Sequence, residues 1–176
     1  TGCKIKFYDF ALRNGDAADA KPRLRELNIE DLLFRDVLRF TTTDMKSFYR
    51  DKVILITGGG GSIGSELCRQ VAKQHPKKLI VFDIYENNAY DLQQELVHLY
   101  GDTLDLAVEI GSVRDVTRLD DVFAKYRPQI VFHAAAHKHV PLMEHSGGEA
   151  IKNNVLGTYN TANAAEKFGA EKFILI

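Results

Sequence analysis

The sequence predicts an α/β fold built on a doubly wound parallel sheet, and two observations support that class. Short apolar runs, typical of strands that are buried on both faces, alternate with stretches of helical periodicity from residue 51 onwards. A glycine-rich turn joins the first apolar run to the first helical stretch. Parallel strands connected by right-handed helical crossovers produce a sheet of this kind.

Five strands and four helices are expected in that region, after which the fold is cut off. The strands are predicted at 53–57, 79–83, 104–110, 130–134 and 173–176. The helices are predicted at 62–74, 88–100, 115–126 and 146–168. Pro76 ends the first helix. Ser146 and Glu149 form a capping box for the last helix, and Gly169 stops it.

Residues 1–50 lack this alternation and are interpreted as a linker or leader from an upstream region. The segment 15–21 is polar and alanine-rich, as linkers are, and 29–34 predicts a short helix or turn. Residue 1 is not methionine, and the chain stops on an apolar strand that nothing covers. We therefore expect a fragment of a longer protein.

The composition excludes several classes of function. Apolar residues make up 45% of the chain, which is enough for a buried core. The 23 basic and 24 acidic residues nearly balance, and the basic ones are scattered, so no nucleic-acid partner is expected. Two distant cysteines indicate a reducing, cytoplasmic location. No signal peptide or long apolar run is visible, and no membrane contact is expected within this segment.

Three glycines after the first strand, Gly58, Gly61 and Gly64, have the spacing G-x-x-G-x-x-G. A sharp turn needs one positive φ, and a backbone without Cβ atoms can approach a pyrophosphate. The third glycine lets helix and strand pack tightly, and free N–H groups of the first helical turn point at the phosphates. A plain glycine linker is the alternative, but the flanking strand and helix favour a Rossmann-type nucleotide site. No Lys-Ser/Thr pair follows, which excludes the usual P-loop.

An acidic residue, Asp83, ends the second predicted strand 19 residues after Gly64. Its carboxylate can accept hydrogen bonds from the adenosine ribose hydroxyls, and it would repel a 2′-phosphate. No arginine follows within 84–88 to bind such a phosphate. These features favour NAD over NADP. The alternative is that Asp83 only caps the following turn.

Small and polar residues follow the fourth predicted strand, at the sheet edge where open parallel sheets bind ligands. The alanines Ala134, Ala135 and Ala136 leave room for the ribose of a dinucleotide. Lys138 is a candidate contact for a substrate phosphate. The nearby histidines fit no common ligand motif, so no metal is expected. His133 is interpreted as a packed or hydrogen-bonded strand residue.

The last predicted helix contains poor helix formers near its middle. Gly157 indicates a close backbone approach to the sheet or a neighbour. Asn154 is expected to hold backbone or a water near the site and is a candidate substrate-binding residue. The alternative is that both are tolerated surface residues.

Three segments, 53–70, 131–144 and 153–160, resemble the extended short-chain dehydrogenase/reductase superfamily. Within it they are similar to the bacterial nucleotide-sugar 4,6-dehydratases of polysaccharide biosynthesis, which act on UDP-N-acetylglucosamine-type sugars. The run AAAHKHVPLME is specific to that group. The segment 24–36 also resembles the linker before the catalytic domain of the long, membrane-anchored members.

The resemblance implies a reaction and a set of contacts. NAD accepts a hydride from sugar C4, water is lost across C5–C6, and the hydride returns to C6. Lys138 is an implied substrate contact. The implied cofactor contacts are Thr57, Gly58, Gly61, Ser62, Ile63, Gly64, Asp83, Ser112, Val113, Ala134, Ala135 and Ala136. A homo-oligomeric full-length protein, anchored in the inner membrane with this domain in the cytoplasm, is also implied.

Two departures from the family pattern qualify the resemblance. Ser112 stands where many superfamily members have an aspartate near the adenine, so a contact there is through the backbone. The family's catalytic Ser/Thr-Asp-Lys stretch would lie beyond Ile176, so these 176 residues alone are not expected to turn over substrate. A nucleotide-sugar epimerase or reductase and a non-catalytic NAD-binding module remain alternatives. A methyltransferase is disfavoured, because Thr57 stands where an acidic residue usually precedes its glycine turn.

Overall fold

The computed structural model describes residues 6–9, 23–26 and 48–176. The chain forms two compact units, residues 1–40 and residues 41–176. In the first unit, β1 (Lys6–Asp9) pairs antiparallel with β2 (Arg23–Glu26). The sequence did not predict this pair, because both strands are rich in charged residues and lack the continuous apolar run that identified the strands of the sheet. The linker at 15–21 and the turn at 29–34 lie outside the described residues.

The second unit contains a parallel sheet with the strand order β5–β4–β3–β6–β7 over the described residues 48–176. Its strands are β3 (Val53–Thr57), β4 (Lys78–Asp83), β5 (Leu106–Ile110), β6 (Ile130–His133) and β7 (Lys172–Leu175). Chain order runs outward from β3 in one direction and then, from β6, in the other. The doubly wound parallel sheet is therefore confirmed, with β3 and β6 at the point where the winding reverses.

Helices connect the strands and cover the sheet. They are α1 (Ser62–Ala72), α2 (Glu86–Tyr100), α3 (Val116–Tyr126), α4 (Val140–His145), α5 (Gly147–Ala150) and α6 (Gly157–Lys167). A 3₁₀ turn follows α2 at Gly101–Thr103, which delays the third strand of the sheet from 104 to Leu106. The first helix ends two residues earlier than predicted, and His75 turns the chain before Pro76 with φ at +51°.

The helix predicted over 146–168 is confirmed in extent, because helical backbone runs without a break from Gly147 to Lys167. Within it, α5 and α6 are joined by a π-helical turn at Ile151–Leu156, which the sequence did not predict. The predicted capping box is absent, since the Ser146 side chain makes no capping hydrogen bond. The carboxylate of Glu149 instead contacts Arg114 at 2.6 Å and Lys152 at 2.8 Å. Glu149 therefore forms ion pairs with these two basic residues instead of completing a capping box at the N-terminus of α5.

Two apolar clusters, one on each face of the sheet, form the core. Ile54 and Ile56 of β3 belong to one cluster together with residues of α1 and α2. Leu55 lies between them in sequence and belongs to the other, with residues of α3 and α6. Burial on both faces explains the continuous apolar runs of the strands. Among the described residues, no helix combines the length and the apolar character that a membrane crossing requires.

Candidate functional site

A cleft of about 240 Å³ opens where β3, β4, β5 and β6 end. Eight of the predicted cofactor residues line it, namely Gly58, Gly61, Asp83, Ser112, Val113, Ala134, Ala135 and Ala136. The residues come from four separate connections, and the strand order brings them together. The cleft thus lies where the topology of a doubly wound sheet favours a ligand.

The glycine turn is pressed between α1 and the chain that leaves β6. Gly58 has φ at +66°, which is the positive value that the turn was predicted to need. A Cβ on Gly58 would lie 2.7 Å from the carbonyl carbon of Ala134. A Cβ on Gly64 would lie 2.0 Å from the Gly58 carbonyl oxygen. The third glycine therefore permits contact between the helix and the turn itself, rather than between the helix and the strand.

The N-terminus of α1 has donors that the protein leaves available. Gly61 is the N-cap and provides no side-chain cap, and the first turn contains no acidic residue. Within residues 48–176, no acceptor contacts the N–H groups of Ser62, Ile63 and Gly64. These N–H groups and the helix dipole together favour a bound anion. The side chains of Ser62 and Ile63 are exposed and lie outside the lining of the cleft.

Asp83 connects the glycine turn to the start of α2. One carboxylate oxygen accepts a hydrogen bond from the N–H of Gly60 at 2.8 Å, and the other accepts from Tyr85 at 2.8 Å. The alternative interpretation, that Asp83 caps the following turn, thus describes part of its role. Each carboxylate oxygen has a second lone pair, and Asp83 also lines the cleft. A hydroxyl donor in the cleft can therefore still be accepted.

Thr57 has no exposed surface, so its side chain does not reach a ligand in the cleft. Its hydroxyl lies 2.7 Å from Nδ1 of His133, and Nε2 of His133 lies 2.9 Å from the Thr158 hydroxyl. The interpretation of His133 as a hydrogen-bonded strand residue is confirmed. Burial lowers the pKa of His133 to about 4, so the ring is neutral at physiological pH.

Asn154 holds backbone, as one of its two interpretations expected. Its side-chain oxygen accepts from the N–H of His137 at 2.8 Å, and its side-chain nitrogen donates to the His137 carbonyl at 2.9 Å. The preceding residue, Asn153, donates to the Ala135 carbonyl at 3.4 Å. Both asparagines belong to the π-helical turn, a feature that is frequent at functional sites. The turn therefore fixes the chain that leaves β6.

Gly157, at the start of α6, allows the close approach that the sequence predicted. A Cβ there would lie 2.6 Å from Cγ2 of Val113, one of the residues lining the cleft. One turn further, the side chain of Asn160 donates to the Val113 carbonyl at 3.3 Å. The helix thus supports a second wall of the cleft.

A second pocket, of about 350 Å³, adjoins the cleft and shares His137 with it. Lys138 and Asn154 both line this second pocket, together with Glu144. The two predicted substrate residues are therefore close together and next to the predicted cofactor residues. Within the described residues, no group of three or more histidine, cysteine, aspartate or glutamate side chains is arranged to hold a metal ion.

Eight residues that line the cleft were missed by the sequence interpretation. They are Gly60, Phe82, Ile84, Tyr85, Asn88, Gly111, His137 and Asn153. Most adjoin a predicted residue at the end of a strand, which was the available signal. Asn88 was less accessible to such reasoning, because its contact with the Gly60 carbonyl at 3.3 Å spans 28 residues.

A match to a family model identifies the family to which this chain belongs. The model described as "Polysaccharide biosynthesis protein" matches residues 54–176. The chain belongs to the polysaccharide biosynthesis protein family. Relatives of this family member include the "Probable polysaccharide biosynthesis protein EpsC" of Bacillus subtilis (strain 168), which is 43% identical over 88% of this chain and 26% of that protein. The resemblance drawn from the three sequence segments is thereby confirmed.

Two further relatives narrow the context. The "Capsular polysaccharide biosynthesis protein CapD" of Staphylococcus aureus is 44% identical over 87% of this chain and 26% of its own length. The "UDP-N-acetylglucosamine 4,6-dehydratase (inverting)" of Campylobacter jejuni is 33% identical over 73% of this chain and 36% of its own length. This chain thus spans about a quarter of the length of the first two relatives.

Solved structures agree on the fold. The X-ray structure of Pen from Bacillus thuringiensis is 34% identical, with a TM-score of 0.65 over 73% of this chain and 37% of Pen. The Bordetella bronchiseptica enzyme WbmG, solved in complex with NAD and UDP, is 30% identical, with a TM-score of 0.57 over 69% of this chain and 36% of WbmG. The family member therefore has the Rossmann-like fold of these proteins.

Proposed function

We propose that the cleft binds NAD, with the pyrophosphate at the N-terminus of α1 and the adenosine ribose at Asp83. The free N–H groups of Ser62, Ile63 and Gly64 are the observation that carries this proposal. An anion there gains both hydrogen bonds and the favourable end of the helix dipole. The NAD complex of WbmG supports the choice of ligand.

The shape of the cleft fits a dinucleotide. The glycine turn has no Cβ at the positions where one would collide with backbone, and Ala134 to Ala136 present only methyl groups. Ile84 and Tyr85 are more than half exposed at the rim beyond Asp83, where an adenine ring would cover them. The ligand class therefore follows from open backbone donors flanked by apolar surface.

We further propose that the whole protein is a nucleotide-sugar 4,6-dehydratase and that this chain supplies its cofactor site. NAD would supply the hydride acceptor for sugar C4. Lys138, in the adjoining pocket, would bind the diphosphate of a UDP-sugar, while Asn154 positions the neighbouring backbone. The acid and base groups that the elimination requires are proposed to lie beyond Ile176. The relative from Campylobacter jejuni supports this reaction class.

Substitution of Asp83 tests the cofactor assignment. We expect the chain to bind NAD⁺ at least about 100-fold more tightly than NADP⁺, because a buried carboxylate repels a 2′-phosphate. Asp83→Asn should weaken NAD⁺ binding by about 10-fold, since hydrogen bonds to a charged group are the stronger ones. It should also reduce the ratio of the NAD⁺ affinity to the NADP⁺ affinity, because the repelling charge is removed. Isothermal titration calorimetry with both nucleotides measures these affinities.

The matched control is Asp121→Asn, which changes an exposed carboxylate on α3 outside the cleft. It should leave both affinities unchanged. Equal affinity of the unmodified chain for NAD⁺ and NADP⁺, or tight binding of S-adenosylmethionine instead, would contradict the assignment.

Substitution of Lys138 tests the substrate pocket. Lys138→Ala should weaken UDP binding by about 10-fold, because a charged hydrogen bond to the diphosphate is lost. Lys77→Ala removes an exposed lysine that precedes β4, at the opposite end of the strands, and should have no effect. Titration of both variants with UDP in the presence of NAD⁺ gives the comparison. Identical UDP affinities would remove Lys138 from the proposed site.

The reaction itself is tested on a polypeptide that continues beyond Ile176. UDP-N-acetylglucosamine carrying deuterium at C4 is supplied, and the product is analysed by mass spectrometry and NMR. A dehydratase yields a product that has lost one water and carries the deuterium at C6. Retention of the water, with inversion at C4, would identify an epimerase, a class to which other relatives belong by name. Nucleotide binding without any product would identify a non-catalytic module.

A further inference from the structure

A chain of buried and partly buried hydrogen bonds links the strand before the glycine turn to the π-helical turn. It runs from the Thr57 hydroxyl to the His133 ring and on to the Thr158 hydroxyl. Thr57 and His133 are buried, and the imidazole also stacks on Phe173 with ring centroids 5.9 Å apart. The function proposed above does not use this chain of contacts.

The direction of these hydrogen bonds follows from the number of protons available. The Thr158 hydroxyl has one proton and donates it to the Asn154 carbonyl at 2.7 Å. Its oxygen must then accept from His133, so the ring proton is on Nε2. Nδ1 is consequently the acceptor, and the Thr57 hydroxyl donates to it. We name the series Thr57–His133–Thr158–Asn154 the His133 relay.

The relay ends on the residue that holds the wall of the cleft. Asn154 receives the last hydrogen bond through its carbonyl and uses its side chain to bind both backbone groups of His137. His137 lines the cleft and also the pocket that contains Lys138. The start of the relay, Thr57, directly precedes Gly58. The two ends therefore bracket the space between the glycine turn and the chain leaving β6.

We propose that His133 is a positioning residue. Its Nε2–H tautomer fixes the position of the π-helical turn relative to the sheet. The π-helical turn then holds the segment 134–138 at the correct distance from the glycine turn. The ring touches no ligand in the cleft and acts only through Thr158 and Asn154. This proposal rests on the cleft being the NAD site. The distance between the glycine turn and the segment 134–138 matters, because Gly58 already lies so close to the Ala134 backbone that no Cβ would fit between them.

The test compares three substitutions on α6. Thr158→Val removes the hydroxyl but keeps the shape, Thr158→Ser keeps the hydroxyl, and Thr161→Val is the matched control. Thr161 is a fully buried threonine that donates to the Gly157 carbonyl at 2.7 Å, in the same manner as Thr158 but without a contact to His133. Each variant is examined for the ring ¹⁵N shifts of His133, hydrogen exchange of the His137 amide, and NAD⁺ affinity.

The unmodified protein should show a protonated Nε2 and an unprotonated Nδ1. Thr158→Val should redistribute the tautomers, speed exchange of the His137 amide at least about 10-fold and weaken NAD⁺ binding by about 10-fold. Thr158→Ser should restore all three to within about twofold of the unmodified protein. Thr161→Val should change none of them, even where it lowers the melting temperature as much as Thr158→Val does.

The outcomes separate the two proposals. A ring protonated on Nδ1 in the unmodified protein overturns the relay, whatever the nucleotide affinity. If the unmodified protein binds NAD⁺ and Thr158→Val binds it equally well, the positioning role is wrong while the NAD site stands. If the unmodified protein does not bind NAD⁺, the proposed cofactor site fails and the positioning role fails with it.

Discussion

Replacing Gly64 with alanine is expected to abolish NAD⁺ binding at millimolar nucleotide and to lower the free energy of unfolding by about 3 kcal/mol or more. The added Cβ would lie 2.0 Å from the Gly58 carbonyl oxygen and 2.9 Å from the Gly59 Cα. These neighbours are backbone atoms of a tight turn, so they have no flexible side chain that could move away. Urea unfolding and calorimetric titration measure the two effects.

Gly148→Ala is the matched control for this substitution. Gly148 lies in α5, and a Cβ there would meet no heavy atom within 4 Å. Alanine at that helical position is expected to leave NAD⁺ binding unchanged and to stabilise the fold slightly. A Gly64→Ala protein that binds NAD⁺ normally would show that the turn relaxes freely, which would contradict the role assigned to its tight geometry.

Lowering the pH from 7 to about 4.5 is expected to reduce the free energy of unfolding by up to about 3 kcal/mol through His133 alone. Burial lowers the pKa of this imidazole from 6.5 to about 4. The unfolded chain therefore binds a proton below pH 6.5 that the folded chain does not bind until about pH 4. The stability is complete above pH 6.5 and is lost as the pH falls through that window.

Substitution of His133 separates this effect from the titration of acidic groups. His133→Asn does not titrate, so its unfolding free energy should change much less between pH 6.5 and 4.5. Burial by itself would raise the pKa of Glu109, but hydrogen bonds from Lys125, Tyr126 and Arg118 bring it down to about 2. The contribution of Glu109 is therefore lost only below about pH 4.5. Parallel pH profiles for the two proteins would refute the assignment to His133.

The parts of the site that were predictable from sequence are those with local causes. Gly58 adopts a positive φ because the chain must turn between adjacent elements. A few consecutive residues are enough to show that requirement. Asp83 was identifiable because the end of a strand leads to the carboxyl edge of a parallel sheet. The apolar periodicity likewise predicted the five strands of the sheet, with shifts of up to two residues.

The remaining features depend on contacts between distant residues. The hydrogen bond from Thr57 to His133 spans 76 positions, and the one from His133 to Thr158 spans 25. No local pattern pairs such residues. The capping box at Ser146 and Glu149 failed for a related reason, since the partner of Glu149 is Arg114, which lies 35 positions away. Tertiary charge pairing therefore overrode a valid local signal.

The two backbone hydrogen bonds of Asp83 have a consequence for how a ligand would be recognised. Because the N–H groups of Gly60 and Tyr85 already hold the carboxylate, its rotamer is chosen before any nucleotide arrives. A preorganised acceptor loses little side-chain entropy when a ligand binds. The free-energy cost of removing water from its charge has already been incurred during folding. Selectivity between the two dinucleotides would then be an intrinsic property of the empty protein rather than a product of induced fit.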